Sequence, residues 1–261
     1  MKVASLLGMV AFFGLLLLSL GYHAKIKRRL ALAGAFCCLS LGALCLLLAV
    51  TPGGNFYGPV LAAGSTEQKL AALTFDDGPC RPYTEQILDI LRDKDVRATF
   101  FVVGRNALQQ PEVLRRIQKE GHLVGTHTQN HKDLLRLEAD EVNREMAEGI
   151  ESIRAITGER TSYLRPPHGF KDFVVMEQAG RLGLTVVNWN VIPRDWTNPG
   201  VSRIVENVMT NIRPGAVILL HDGDSPGGTG SREQTVRALP LIIDRLREAG
   251  YELVRIDELQ K

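Results

Sequence analysis

The chain has 261 residues, of which 45% are hydrophobic, 23% charged and 6% aromatic, with a formal net charge of +2. No acidic residue precedes Glu67, whereas Lys2, Lys25, Lys27, Arg28 and Arg29 all do; the rest of the chain sets 26 basic residues against 29 acidic ones, a net charge of about −3. A mildly acidic body without a basic stripe excludes nucleic acid as the expected partner.

From the N-terminus, Val3 to Tyr22 and Leu30 to Val50 are almost wholly apolar, separated by His23-Ala24-Lys25-Ile26-Lys27-Arg28-Arg29. Each run is about 20 residues, enough to span a bilayer as a helix. The basic cluster favours the cytoplasmic side, so the expectation is a transmembrane helical hairpin at 1–51, in contact with membrane lipid, with the remaining chain extracytoplasmic. The competing reading makes the second run a secretory signal cleaved near Ala62-Ala63, although such an apolar region is usually shorter. Phe36, Cys37 and Leu44 precede Cys37, Cys38 and Cys45, so a lipoprotein signal is not expected, and these thiols read as apolar filler. Cys80 is the only other cysteine, which leaves the exported part without an internal disulfide and reliant on its core. Its place directly after an Asp pair lets it touch a metal or oxidise, or be incidental.

Residues 52–66, rich in Gly and Pro, read as a flexible exit from the membrane, and 67–261 as one folded domain. There, short β-branched or apolar runs alternate with helical patterns. Strands are expected at Ala71–Phe75, Ala98–Val103, Leu123–Thr126, Tyr163–Arg165, Leu184–Trp189, Ala216–His221 and Glu252–Ile256. Helices are expected at Thr84–Lys94, Pro111–Glu120, Glu138–Thr157, Asp172–Leu182, Val201–Ile212 and Thr235–Ala249. The alternation implies an α/β fold with a parallel sheet, and about seven strands with no Gly-rich phosphate fingerprint suit a distorted (β/α) barrel better than an open dinucleotide-binding sheet.

Chemistry gathers at the C-terminal ends of these strands, where α/β sites form: Asp76-Asp77, His127 with His131, Arg165-Pro166-Pro167-His168-Gly169, Asp195-Trp196 and His221-Asp222. Gly78-Pro79 must turn the chain, so Asp76 and Asp77, which would face opposite sides of a strand, can both enter one cleft and take different jobs. With His127 and His131 they make a candidate divalent-metal site. The His-x-x-x-His spacing is expected to put both rings on one side of a helical turn.

This ordered set, with TFDDGP, HTQNH, RPPHG, PRDW and LLHD, resembles the polysaccharide deacetylase family, the NodB-homology carbohydrate esterases, over roughly Leu70 to Ile256. The resemblance implies a metal-dependent hydrolase of linear amide C–N bonds that acts on an N-acetylated polysaccharide. It makes Asp77, His127 and His131 the metal ligands, a set that leaves coordination positions open, as a catalytic ion needs. It makes Asp76 the general base toward water and His221 the acid that protonates the leaving amine. Asp195 would hold His221 cationic, and Arg165 would keep Asp76 oriented and ionised. His168 would supply a backbone N–H to the oxyanion where the family usually has an aromatic residue, and Trp196 and Leu219 would line the acetyl pocket. Ile192 departs from the pattern, standing where an Asp is common.

Asp-His-His ligation suits zinc first, with cobalt, nickel or manganese as alternatives. Location near the membrane points to peptidoglycan N-acetylglucosamine, with chitooligosaccharide, poly-N-acetylglucosamine and acetylxylan as alternatives within the family. A non-catalytic glycan-binding envelope protein and a metal-dependent phosphoesterase are the rival classes. No protein partner is legible.

Overall fold

A computed structural model of the chain describes residues 2–23, 28–225 and 227–259. It opens with two apolar helices packed against each other, α1 (Val3–His23) and α2 (Arg28–Val50). In α2, Arg29–Val50 is long and apolar enough to cross a membrane, while α1 offers the shorter apolar stretch Val3–Ser19. The basic turn expected between them, at residues 24–27, lies outside the described residues.

The remaining chain alternates strands and helices as the sequence implied: β1 (Leu70–Asp76), α3 (Tyr83–Asp93), β2 (Thr99–Val102), α4 (Gly104–Gln109), α5 (Pro111–Lys119), β3 (Leu123–Thr126), α6 (Ala139–Thr157), β4 (Tyr163–Leu164), α7 (Phe173–Arg181), β5 (Thr185–Val186), α8 (Val201–Asn211), β6 (Ala216–His221), α9 (Glu233–Glu248) and β7 (Glu252–Leu253). All seven strands pair in parallel, in the order β5-β4-β3-β2-β1-β6, with β7 also on β1. Beyond β5 the chain crosses to the other edge of the sheet, where Val191 bridges Ile218 of β6. This curls the sheet into the distorted barrel expected from the strand count.

Strand periodicity decides what the barrel holds. On β1, Ala71, Leu73 and Phe75 pack outward against the helices, with Ile87, Leu88 and Leu91 of α3 among their neighbours. Ala72 faces inward with Phe101, Trp189, Val217 and Leu219. Thr74 and Asp76 follow Ala72 at spacing two, and His221 follows Leu219, so the polar groups at these strand ends share the inner face.

Residues 52–66 lie packed on the domain instead of forming the expected flexible exit. Tyr57, Leu61 and Ala62 are buried, Leu61 bridges Val187, and Ala63 bridges Ala216.

Candidate active site

β1 delivers two carboxylates to the mouth of the barrel. Asp76 ends the strand facing inward, and Asp77 takes a left-handed φ of 75° that turns its side chain into the same cleft. The turn beyond is braced from β6. Asp222 is buried, accepts from Thr84 Oγ at 2.6 Å, and lies where a side chain on Gly78 would collide with it. Burial raises its carboxyl to about 7.

The segment from His127 to His131 is a loop, not the expected helical turn: Thr128 and His131 both have positive φ, 69° and 55°. The rings nonetheless converge, with centroids 4.8 Å apart. Buried Glu145 of α6 holds the loop, accepting from Asn130 N at 2.8 Å and Asn130 Nδ2 at 3.0 Å. His127 Nδ1 is 2.6 Å from the carbonyl oxygen of Arg165. A carbonyl can only accept, so Nδ1 carries the proton and Nε2 presents a lone pair.

That lone pair points to Asp77. Asp77 Oδ1 lies 3.5 Å from His127 Nε2 and 3.2 Å from His131 Nε2, and it is buried without a hydrogen-bond partner. Burial, reinforced by His131, pushes the pKa of His127 well below the usual imidazole value, and burial also lowers His131. Two neutral rings and an orphaned carboxylate oxygen, all within 4.8 Å of one another, fit a divalent cation. Among the described residues this is the group able to hold one; Cys80 is not part of it.

Asp76 lies to one side. Its Oδ1 accepts from Arg165 Nη1 at 2.7 Å, and its Oδ2 is 3.8 Å from His127 Nε2. Arg165 is fully buried over the Phe101 ring, and it also donates to Thr74 Oγ at 2.8 Å and to the carbonyls of Asn188 (3.1 Å) and Val187 (3.3 Å). Arg165 and His221 pull the Asp76 carboxyl down, but burial outweighs them and raises it above the usual range.

Across the cleft, His221 Nδ1 lies 2.9 Å from Asp195 Oδ1. Asp195 Oδ2 accepts from His221 N and from Thr235 Oγ, both at 2.8 Å. Burial opposes a charge on His221, but Asp195, with Asp77 and Asp76 beyond it, carries the imidazole up to about 9. Burial likewise opposes the Asp195 charge, and His221 with the Thr235 hydroxyl draws its carboxyl below the usual range.

Trp196, 37% exposed, sets its ring edge-on to His221 with centroids 5.1 Å apart, and buried Leu219 lines the floor. His168, at φ 61°, stands 5.1 Å from the His131 ring. All ten residues expected at the site are therefore brought to one mouth of the barrel, eight of them lining a cleft of about 630 Å³, with Arg165 buried behind Asp76 and Asp195 behind His221. Sequence reasoning missed Thr74, Glu145, Asn188 and Thr235, whose partners are distant in the chain. It also missed Val50, Pro52 and Arg232, which line the cleft.

Residues 63–187 match the family model described as Polysaccharide deacetylase. A chitooligosaccharide deacetylase of Bradyrhizobium sp. (strain ANU 289) is 43% identical over 194 residues, covering 72% of this chain and 89% of that protein. A peptidoglycan-N-acetylglucosamine deacetylase of Bacillus cereus is 37% identical over 194 residues, covering 74% of this chain and 88% of that one. Among solved structures, a peptidoglycan N-acetylglucosamine deacetylase in complex with 4-naphthalen-1-yl-N-oxidanyl-benzamide superposes at a TM-score of 0.74 with 33% identity, covering 77% of this chain and 92% of that one.

Proposed function

The chain belongs to the polysaccharide deacetylase family, hydrolases acting on amide bonds, and from that premise we propose that it removes N-acetyl groups from extracytoplasmic amino sugars, peptidoglycan N-acetylglucosamine first, with a divalent metal. The observation that supports the metal dependence is the orphaned Asp77 Oδ1 beside the Nε2 atoms of His127, whose proton sits on Nδ1, and His131.

Asp77, His127 and His131 would hold the ion, zinc before cobalt, nickel or manganese. When bound, it would polarise the acetamide carbonyl and acidify water in the cleft. The protein's own groups supply the proton traffic. Asp76, oriented by Arg165 and raised by burial, takes a proton from the attacking water as the oxygen bonds to the carbonyl carbon. His221, kept cationic by Asp195, gives a proton to the sugar nitrogen as the C–N bond breaks, so acetate and an amine leave. The backbone N–H at His168 would meet the carbonyl oxygen as it gains charge. Leu219 and Trp196 offer the acetyl methyl an apolar seat and the sugar an aromatic face.

Residues 1–51 would anchor the protein in the membrane and 67–261 form the catalytic domain, with 52–66 joining them. Against a non-catalytic role stands the complete set of base, acid and ligand atoms in one cleft. The experiment is to load the protein with each of the four metals and follow acetate release from peptidoglycan, chitooligosaccharides and acetylxylan. Release from one of them, lost on chelation, names the substrate and the metal.

A further inference from the structure

Val50, the last residue of α2, and Pro52 just beyond it line the same cleft as Asp76, Asp77 and His221. The stretch Arg29–Val50 has 22 residues. At 1.5 Å per residue it is about 33 Å long, against about 30 Å of bilayer hydrocarbon. A spanning α2 therefore leaves the bilayer where the cleft opens.

The exit of α2 is fastened to the segment that follows His168. Lys171, three residues after His168 and fully buried, donates its backbone N–H to the carbonyl of Ala49 at 3.1 Å. Its ammonium donates to the carbonyls of Thr51 (2.6 Å) and Pro52 (3.2 Å), at the helix end that favours a cation. Asn188 Nδ2 donates to Pro52 O at 2.8 Å and to Gly169 O at 3.1 Å. Asp172 caps α7 through Val175 N and accepts from Val3 N, at the start of α1, at 3.1 Å. Tyr57 reaches back along α2 to donate to Cys45 O at 2.8 Å. The two apolar helices thus end on consecutive residues, Lys171 and Asp172, which fixes the height of the cleft above them.

The domain also presents an apolar surface at that height. Phe56 and Phe173 are 56% and 42% exposed, with ring centroids 5.9 Å apart, and both flank Tyr57 beside the last turns of α2. Adjacent exposed aromatic rings at the exit of a span suit the boundary between headgroups and acyl chains.

A cleft walled by the end of a membrane span, locked to it and seated on the bilayer by aromatic rings, opens at headgroup depth. A polymer strand free of the membrane lies farther out; a sugar joined through phosphate to a lipid lies in that layer. We propose that the substrate of this cleft is an N-acetylated amino sugar still carried on a membrane lipid. This rests on the deacetylase reading above and on α2 being retained as a span.

The test places the full-length, zinc-loaded protein in phosphatidylcholine–phosphatidylglycerol vesicles. It compares acetate release from N-acetylglucosaminyl diphosphoundecaprenol in the same vesicles with release from N-acetylchitotetraose in solution, at equal bulk concentration. Confinement to one surface should make the lipid-linked sugar about ten-fold the better substrate. The double variant Phe56→Asp, Phe173→Asp should lower that rate about five-fold, while changing the chitotetraose rate less than about two-fold. Chitotetraose turned over as fast as the lipid-linked sugar, or a double variant that slows both equally, overturns the proposal and leaves the deacetylase reading standing. Release from neither substrate, nor from peptidoglycan or acetylxylan given to the same preparation, overturns both.

Discussion

Arg165 holds two neighbours in place with different parts of itself: its guanidinium donates to Asp76 Oδ1 at 2.7 Å, and its carbonyl accepts from His127 Nδ1 at 2.6 Å. The proposed base and a proposed metal ligand are thereby set by one buried residue. The two functions separate on substitution, because only the guanidinium is lost. Arg165→Met should keep the metal, since the carbonyl remains, yet leave Asp76 buried and unpaired. We expect a loss of about 3 kcal/mol in stability or more, and a fall in kcat of about 100-fold as the base loses its orientation. Metal content and kcat measured on the same preparation check the split.

Glu145 contacts neither the proposed ion nor the substrate, but it holds Asn130 at both its backbone and side-chain nitrogens. The loop carrying His131 depends on this grip, since its positive φ values at Thr128 and His131 are not those an unconstrained chain prefers. Glu145→Ala should weaken zinc affinity about 10- to 100-fold while leaving all three ligands in the sequence. Competition with a chromophoric chelator measures it.

His221 carries a pH dependence of its own. Its folded pKa is raised from 6.5 to about 9, so its contribution to stability is complete below 6.5 and is lost as pH rises through about 9. In the metal-free protein the imidazole should titrate near that upper value by NMR, and stability should decline across the same window. A bound cation nearby moves both to lower pH. Asp195→Asn removes the main cause of the rise, so the imidazole should be neutral at pH 7 and the alkaline limb of kcat should shift toward acid.

Trp196 offers an aromatic face beside His221 without bonding to the reacting atoms. Trp196→Ala should raise KM for a glycan about 3- to 10-fold, the worth of a lost aromatic contact, and change kcat less. Steady-state kinetics on chitooligosaccharides of increasing length would show the effect.

Where local composition decides, the sequence was readable. Leu123–Thr126 and Ala216–His221 form β3 and β6 at the expected bounds, because buried parallel strands are short apolar runs. The helix α4 was missed, since Gly-Arg-Asn-Ala-Leu-Gln is too short to show a period. The ten residues proposed for the site are legible from family motifs at strand ends, but their supports are not. Thr74 meets Arg165 across 91 positions, and Thr235 meets Asp195 across 40, pairings that only closure of the barrel creates. The His loop departs from the helical turn its spacing suggests, because spacing constrains separation along the chain and not φ. Residues 52–66 looked like a free exit on their Gly and Pro content, yet Tyr57 and Leu61 find buried seats that composition does not reveal.

The proposed reaction turns on proton transfer by Asp76 beside an ion held at Asp77, His127 and His131. It is tested most directly by acetate release from N-acetylchitotetraose with the full-length, zinc-loaded protein and its Asp76→Asn variant, metal content being determined for both. Release should stop on chelation, and the variant should still bind zinc but be slower by about 100-fold or more. Release at the wild-type rate from Asp76→Asn, or release that persists with no ion bound, would contradict it.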